Sequence, residues 1–396
     1  MNYILLDDKL SRENLKPFTF TRPVADIRIG ILTIREKWEK YIGASISSLT
    51  EKYLSQKFPL IAAKENILIN GSVLPDEILI KEIGNLKVGE KLISKDTLIA
   101  IHLGGELVRD LNKVEDAKAK SAKKYSSPIV KLNNLWDIFL KNEEAINADF
   151  ALITKGRKSQ PVSKSNHIIG KGKIFLEKGA KVEGAYLNAG GGAIYIGKNA
   201  EVMEGSLIRG SFSLGERSTL KLGTKIYGGT TIGPHCKVGG EVSNAVFFGY
   251  SNKAHDGFIG NSVIGEWCNL GAGTNNSNLK NNYSKVKLWN YHKEDFVGTG
   301  LTFCGLMLGD HSKCSISSMF NTGTVVGVNA NVFGGGFPPK IIPSFSWGGS
   351  DGFTTFRIED ALEVAGKVLE RRNMKLESAD KDILRTLFDL TVKHRV

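Results

Sequence analysis

The stretch IGKNAEVMEGSLIRGSFSLGERSTLKLGTKIYGGTTIGPHCKV, residues 196–238, carries an aliphatic side chain at every sixth position. The repeated positions are Ile196, Val202, Ile208, Leu214, Leu220, Ile226, Ile232 and Val238. A period of six fits neither an α-helix nor an alternating strand. It is typical of a β-solenoid, in which three short strands form one coil and every sixth side chain enters the same internal stack. The stretch therefore predicts a parallel β-helix built from hexapeptide repeats.

The same period extends beyond this stretch in both directions, with two interruptions. Upstream positions in an earlier register are Ile168, Ile174, Ala180 and Tyr186. Downstream, the period returns at Phe296 and continues to Val332. The interruptions are AGGGAI at 189–194 and the polar segment NNSNLKNNYSKVKLWNYHKED at 275–295, which is expected to project as an arm. Because coil residues are committed to stacking, ligand contacts are expected in loops and interruptions.

The chain before the repeats lacks the six-residue period and alternates apolar strands with segments of helical spacing. This alternation indicates an α/β domain with a mainly parallel sheet. We expect that domain over residues 1–155, a polar linker over 156–166, the β-helix over 167–345 and a C-terminal helical segment over 346–396. The helical segment should contain two amphipathic helices that cap the open end of the coils.

The formal net charge of +12 favours anionic partners. Lysines and arginines are interleaved with acids, without a basic helix or an aromatic–basic RNA motif, so sugar phosphates or nucleotides are expected rather than nucleic acid. A solvated basic surface without a specific ligand is the simpler alternative. No segment approaches the length of about 18 apolar residues that suggests a membrane span, so we expect a cytoplasmic protein without a membrane partner. Four cysteines without CxxC spacing predict no metal site.

The motif NLGAGT at 269–274, preceded by NKAH at 252–255, resembles the acetyltransferase site of a bifunctional bacterial family. That family joins a UDP-N-acetylglucosamine diphosphorylase to a glucosamine-1-phosphate N-acetyltransferase. The resemblance implies a Rossmann-like nucleotidyltransferase domain followed by a left-handed parallel β-helix. The segments FTFTRPVADIRIGILTIREKW at 18–38, HDGFIG at 255–260 and FNTGTVVG at 320–327 are similar to an alternative, Bacteroidetes-type branch of the family.

For the β-helix, the resemblance implies that His255 is the base that takes a proton from a sugar amine as the amine attacks the thioester of acetyl-CoA. Glu241, 14 residues earlier, stands where the family has the carboxylate that orients this histidine. Positions implied to contact the acceptor sugar are Asn269, Lys225, Ser243 and Phe258. Positions implied to contact the coenzyme are Ala272, Asn278 and Thr299. A solvated corner histidine is the alternative interpretation of His255.

Three acceptor positions depart from the family pattern. Ser243 replaces a lysine, Phe258 replaces a tyrosine, and Lys225 is the nearest substitute for a phosphate-binding arginine. Losing charge-assisted contacts of this kind weakens phosphate binding by about 1.5 to 3 kcal/mol each. The acceptor is therefore expected to be a different sugar phosphate or nucleotide sugar.

The first domain matches the family less well, because no glycine-rich phosphate loop follows its first strand. Arg12, Thr19 and Arg22 are the candidate nucleotide-binding residues. Asn70-Gly71-Ser72 stands where the family has Asn-Gly-Asp, whose aspartate binds the metal, so Mg²⁺ is expected only if this domain is active. We therefore expect a degenerate nucleotidyltransferase-like domain.

Together these features predict an acetyl-CoA-dependent N-acetyltransferase that acts on an amino-sugar phosphate in nucleotide-sugar synthesis for the cell envelope. The resemblance also implies a homotrimer. Two alternatives stay open. One is a sugar-1-phosphate nucleotidyltransferase that uses UTP or dTTP and trimerises through its β-helix. The other is a non-enzymatic scaffold that binds a nucleotide sugar.

Overall fold

The computed structural model describes residues 1–109, 114 and 120–395. They form two compact units. The first contains Met1–Ile27, Leu32–Asn134 and Glu377–Ile383, and the second contains Arg28–Ile31, Leu135–Leu376 and Leu384–Val396. The predicted order of an α/β domain, a β-solenoid and a C-terminal helical segment is confirmed. None of the helices in the described ranges is long and apolar enough to cross a membrane.

The first unit is built on a mixed sheet. Its strands are β1 (Asn2–Leu6), β2 (Ser47–Leu49), β3 (Glu65–Asn70), β4 (Glu90–Ser94), β5 (Thr97–Gly104) and β6 (Ser121–Lys124), in the order β2-β1-β3-β5-β4-β6. The pairs β1–β2, β1–β3 and β4–β6 are parallel, whereas β5 runs antiparallel to β3 and β4. The helices of this unit are α1 (Lys9–Asn14), α2 (Ile34–Ile42) and α3 (Glu77–Gly84).

The start and end of α2 follow from local sequence. Thr33 and Glu36 form a capping box, in which each side chain accepts a hydrogen bond from the backbone of the other. The helix ends at Gly43, whose φ of 76° lies in the left-handed region that glycine adopts at low cost. Ile4 on β1, Leu68 on β3 and Ile101 on β5 are all buried and form the core of the sheet.

The second unit contains the solenoid, whose strands form three faces and pair in parallel, except that Gly352–Thr355 runs antiparallel to Ser346–Gly349. The first, here called the cleft face, contains His167–Ile169, Tyr186–Asn188, Leu207–Arg209, Lys225–Tyr227, Glu241–Gly249, Phe258–Glu266, Leu306–Leu308, Thr324–Val326 and Ile341–Ile342. The second face contains Ile174–Leu176, Ile194–Ile196, Phe212–Leu214 and Thr230–Ile232, and continues in Glu241–Gly249. The third face contains Lys181–Val182, Glu201–Val202, Thr219–Leu220, Lys237–Val238, Asn252–Lys253, Asn269–Leu270, Lys313–Cys314, Asn331–Val332, Ser346–Gly349 and Gly352–Thr355.

All eight aliphatic residues of the 196–238 repeat belong to one buried core. The six-residue period therefore marks inward positions, as predicted. The earlier register is wrong at Tyr186, which is 43% exposed, because Leu187 is fully buried and takes the inward position. Phe296 also lies outside the stack, since it belongs to the arm hairpin formed by Lys287–Asn290 and Asp295–Gly298.

Four helices follow or flank the strands: α4 (Asp137–Leu140), α5 (Asn142–Thr154), α6 (Ile358–Glu370) and α7 (Ser378–Leu390). Helices α4 and α5 belong to the second unit with the solenoid, whereas the sequence analysis expected them in the first domain. The end of α7 packs on the last coils, where the rings of Phe388 and Phe345 meet edge to face at 5.1 Å.

The internal stack can be tested with two leucines of one coil. Leu220→Ala should lower the free energy of unfolding by about 2–5 kcal/mol, because it leaves a cavity in a fully buried column. Leu222→Ala is the matched control. Its side chain is 66% exposed, so the change should stay within about 0.5 kcal/mol. Urea unfolding followed by circular dichroism measures both values, and equal losses would contradict the assigned orientation of the two side chains.

Candidate functional site

The coil that follows Val238 is shorter than the coil before it. Leu220 and Val238 are ladder partners 18 residues apart, whereas the next partners, Val238 and Lys253, are only 15 apart. The coil after Val238 is thus three residues shorter than the coil before it, and two of these three are lost from the corner that leads into the cleft face. This corner has four residues (221–224) in the preceding coil, two (239–240) in the shortened coil and four (254–257) in the following one.

The short corner leaves a cleft between its longer neighbours, with a volume of about 270 Å³. The residues that line it are Gly223, Lys225, Gly240, Glu241, Asp256, Gly257, Phe258 and Asn275. Lys225, Glu241 and Phe258 are successive ladder partners on the cleft face. Three residues that the sequence assigned to the site are thus brought together in one cleft.

Glu241 is held by Tyr227 within this group. The Tyr227 hydroxyl donates a hydrogen bond to Oε1 of Glu241. Burial, together with this bond to a carboxylate, raises the pKa of Tyr227 to about 12. Within the described part of the chain, Oε2 of Glu241 has no hydrogen-bond partner, so this oxygen is available to a ligand or to a neighbouring imidazole.

His255 lies in the four-residue corner, directly before the cleft-lining residues Asp256 and Gly257. Its side chain is exposed, and no hydrogen bond joins it to Glu241 among the described residues. The main chain of this corner is fixed, since the carbonyl oxygen of His255 accepts a hydrogen bond from Nζ of Lys253 at 2.7 Å. The main chain of His255 is therefore fixed beside the cleft-lining residues, and its imidazole is exposed.

Phe258 and Asn278 approach each other across Gly260. A Cβ atom on Gly260 would lie 2.5 Å from Cζ of Phe258 and 2.7 Å from Nδ2 of Asn278. The glycine thus makes room for both side chains. Phe258, which was predicted to contact the acceptor, therefore lies near Asn278, which was predicted to contact the coenzyme. Nδ2 of Asn278 also donates a hydrogen bond to Oδ1 of Asn261 at 2.8 Å.

The other predicted contacts are placed less directly. Asn269 is exposed on the third face, and Ser243 is buried beside Tyr227 in the ladder of the cleft face. Ala272 uses its carbonyl oxygen to accept a hydrogen bond from the amide of Ser317 at 2.6 Å. Thr299 is buried at the base of the arm hairpin, where its hydroxyl donates to the carbonyl oxygen of Val286 at 2.8 Å.

In the first unit, Arg12 and Thr19 belong to a buried polar network. Nη1 of Arg12 lies 2.9 Å from Oδ2 of Asp7, and Nη2 donates to the carbonyl oxygen of Thr19 at 2.7 Å and to the hydroxyl of Tyr53 at 2.8 Å. The Thr19 hydroxyl donates back to the carbonyl oxygen of Arg12 at 2.6 Å. Burial raises the pKa of Asp7 despite the neighbouring guanidinium. Arg22 is buried as well, and its carbonyl oxygen joins the network through Arg12.

The neighbouring polar residues are also bonded internally. Asp8 caps α1 and pairs with Nζ of Lys131 at 2.9 Å. Oδ1 of Asn70 accepts hydrogen bonds from the amide and the hydroxyl of Ser72 at 3.0 and 2.6 Å. No group of three or more His, Cys, Asp or Glu residues that could hold a metal occurs in the described ranges.

Arg12→Met tests whether this arginine is structural. Removing the guanidinium leaves Asp7 buried without its cation, so the free energy of unfolding should fall by about 3–5 kcal/mol. Lys9→Met, on the exposed side of the same helix, should change it by less than about 0.5 kcal/mol. Thermal unfolding of the two variants measures both effects. A stable Arg12→Met protein with weakened nucleotide binding would instead support a ligand contact.

The sequence analysis did not assign Asp256 and Asn275, which line the cleft, or Tyr227, which donates to the cleft residue Glu241. Asp256 follows His255 directly, and Tyr227 follows Lys225 by two positions on one strand, so both lay beside candidates. The contact of Asn275 had no local signal, because Oδ1 of Asn275 reaches the amide of Phe258 from the next coil, at 2.7 Å.

Parts of the chain are similar to known proteins. Residues 3–158 match the profile of the family described as "Sugar nucleotidyl transferase". The chain is 32% identical over 120 residues to the bifunctional protein GlmU of Gloeobacter violaceus, and 28% identical over 152 residues to that of Trichodesmium erythraeum. These matches span 29% and 37% of this chain and only 25% and 27% of the relatives. They confirm the predicted resemblance.

Among solved structures, the chain is similar to the UDP-N-acetylglucosamine acyltransferase of Arabidopsis, with 14% identity and a TM-score of 0.27. That likeness covers 60% of this chain and 99% of the other. It is also similar to LpxA, a UDP-N-acetylglucosamine acyltransferase of Bacteroides fragilis, with 11% identity, a TM-score of 0.24, and coverage of 57% and 96%. At these scores the likeness indicates nothing about substrates.

Proposed function

We propose that this chain, which is similar in part to GlmU proteins, is a transferase of nucleotide-sugar synthesis that moves an acetyl group from acetyl-CoA to an amino-sugar phosphate. The carrying observation is the cleft at the shortened coil, which gathers Lys225, Glu241 and Phe258 next to the corner of His255. These residues are distant in sequence and meet only through the ladder of the cleft face.

His255 acts as the general base in this proposal. The amine nitrogen of the acceptor attacks the thioester carbon, forming a C–N bond, and the C–S bond breaks with release of the coenzyme thiolate. His255 accepts the proton that the nitrogen loses and can return it to the thiolate. An imidazole suits both steps because its ordinary pKa lies close to neutrality.

The charges of the cleft fit an acceptor with two ends of opposite charge. Glu241 and Asp256 carry carboxylates that attract an ammonium, whereas Lys225 carries the cation for a phosphate. The carboxylates attract the acceptor in its ammonium form. The nitrogen has to lose a proton before it attacks, and the exposed imidazole accepts that proton. A sugar that carries both an amine and a phosphate matches this set better than either group alone.

The coenzyme is proposed to lie toward Ala272, Asn278 and the arm that carries Thr299. Asn278 supports this assignment through its position across Gly260 from Phe258. We further propose a homotrimer. The cleft face leaves Tyr186 and Leu207 more than two-fifths exposed, which suits burial against another copy. Light scattering of the purified protein tests the trimer directly.

The first test is acetyl-CoA consumption with glucosamine 1-phosphate and a panel of amino-sugar nucleotides. His255→Ala should lower kcat by about 10² or more, since it removes a general base. His167→Ala is the matched control: it removes an exposed histidine from the first coil of the same face, beside Tyr186, and should leave kcat unchanged. An active His255→Ala protein, or a wild-type protein inactive with every acceptor, would exclude this mechanism.

Nucleotidyl transfer is the second candidate, favoured by the family match over residues 3–158. Against it, Arg12 and Thr19 are used inside the protein, and Asn70 and Ser72 bond each other. The described residues also do not fit Mg²⁺, which prefers carboxylate ligands, because Asp7 is paired with Arg12 and Asp8 with Lys131.

Pyrophosphate release from UTP or dTTP with a sugar 1-phosphate and Mg²⁺ separates the candidates. We expect no release above the blank, because no free phosphate-binding group was found among the predicted residues Arg12 and Thr19. Release that persists in His255→Ala would establish nucleotidyl transfer by the first unit. Binding of a nucleotide sugar without either reaction would support the non-enzymatic scaffold.

A further inference from the structure

Lys253 occupies an inward position of the solenoid. It is the ladder partner of Val238, and its side chain is 1% exposed. The other inward residues of this column are Val182, Val202, Leu220, Val238, Leu270, Cys314 and Val332. A buried ammonium is costly unless it is hydrogen-bonded, so a lysine among these residues needs strong partners.

Regular four-residue corners of the solenoid are closed by a hydroxyl group. The last residue of the corner donates to the carbonyl oxygen of the first, at 2.6–2.9 Å. The donor and acceptor pairs are Ser206 and Met203, Thr224 and Lys221, Thr274 and Gly271, and Ser318 and Ser315. This bond satisfies a corner carbonyl without help from other coils.

The two corners next to the cleft cannot form this bond. The corner 239–240 is too short to contain it, and the corner 254–257 ends in Gly257. No serine or threonine can replace Gly257, because its φ is 121° and a Cβ atom would lie 2.1 Å from the carbonyl oxygen of Thr274. Neither corner therefore has the hydroxyl bond of the regular corners.

Lys253 donates to one carbonyl in each corner, that of the first residue in 239–240 and that of the second residue in 254–257. Its Nζ lies 2.7 Å from the carbonyl oxygen of His255 and 3.1 Å from that of Gly239. The ammonium thus joins the two corners between which the cleft opens. Burial lowers the pKa of Lys253 to about 8, and the opposing charge of Asp256 only partly offsets this effect.

We infer that Lys253 is a positioning residue, which ties the corner of His255 to the shortened corner and so sets the place of the proposed base beside the cleft. The structural part of this inference stands on the two hydrogen bonds. Its catalytic consequence rests on the proposed acetyl transfer. Lys253 acts through the backbone and does not itself contact substrate.

Lys253→Met is the test variant, because a thioether side chain suits the apolar column and removes only the ammonium. We expect kcat for acetyl transfer to fall about tenfold or more, as misplacement of a reacting group by about 1 Å is enough to do so. KM for acetyl-CoA should stay within about twofold of the wild-type value, since Lys253 makes no contact with the bound coenzyme in this proposal. Hydrogen exchange of the amides in 239–241 and 255–258 should become faster.

Lys313→Met is the matched control. Nζ of Lys313 also donates to a corner carbonyl two residues earlier, that of His311, at 2.7 Å, and burial lowers the pKa of Lys313 to about 8 as well. Its corner does not line the cleft. This variant should keep its kcat and should exchange normally in 239–241 and 255–258.

A pH series provides an independent readout of the buried ammonium. The folded pKa of about 8 lies below the ordinary 10.5, so the unfolded chain binds one more proton between these values and the wild type gains stability as pH rises through them. Asp256 and the Cys314 thiol are the titratable groups whose charges act on Lys253. Relative to wild type, Lys253→Met should be most stable below pH 8 and should lose that advantage toward 10.5.

The outcomes separate the inference from the proposed function. If the wild type transfers no acetyl group, the proposed function fails, and faster exchange at both corners in Lys253→Met alone still supports the structural role. Unchanged exchange together with unchanged kcat overturns the inference. If Lys253→Met does not fold, Lys253→Gln replaces it, because the shorter amide side chain cannot reach both carbonyl oxygens. Lys253→Gln should then show the lower kcat and the faster exchange at both corners. A fully active Lys253→Gln protein with slow exchange at these corners overturns the inference.

Discussion

Each coil of the solenoid is stable only because the coils on either side cover its inward side chains. A single coil of about 18 residues buries too little apolar surface to hold its strands in place, so stability comes from the interface between neighbours. The column from Val182 to Val332 is continuous through the shortened coil and past the arm. The site depends on this continuity, since ladder pairing aligns Lys225, Glu241 and Phe258 in the cleft.

Periodicity predicted the solenoid well because inward positions obey one simple rule, that of an apolar side chain at a fixed interval. It failed where coil length changes. Tyr186 fits the interval but faces outward, and Lys253 stands at an inward position that no hydrophobic pattern would assign to lysine. The corner of His255 was identified from its motif, whereas Tyr227 and Asn275 became visible only once the strands were aligned.

The first unit shows a different limit of sequence reasoning. Asp7 and Asp8 follow the first strand and suggest a loop that repels phosphate. In the structure each is neutralised by a cation, Asp7 by Arg12 and Asp8 by Lys131. Lys131 is more than a hundred residues away from Asp8, so no local pattern indicates the pair. The charges that resemble a damaged nucleotide site are therefore paired within the protein.

The two-residue corner at 239–240 shows how such a scaffold acquires a concave surface. Corner residues lie outside the stack, so changing their number leaves the inward column intact while opening or filling space between adjacent coils. Deletion, and not substitution, is then the change that creates a pocket, and each of the remaining corners is a place where the same step could be repeated. New binding surfaces in proteins of this architecture are accordingly better sought by comparing coil lengths than by comparing side chains.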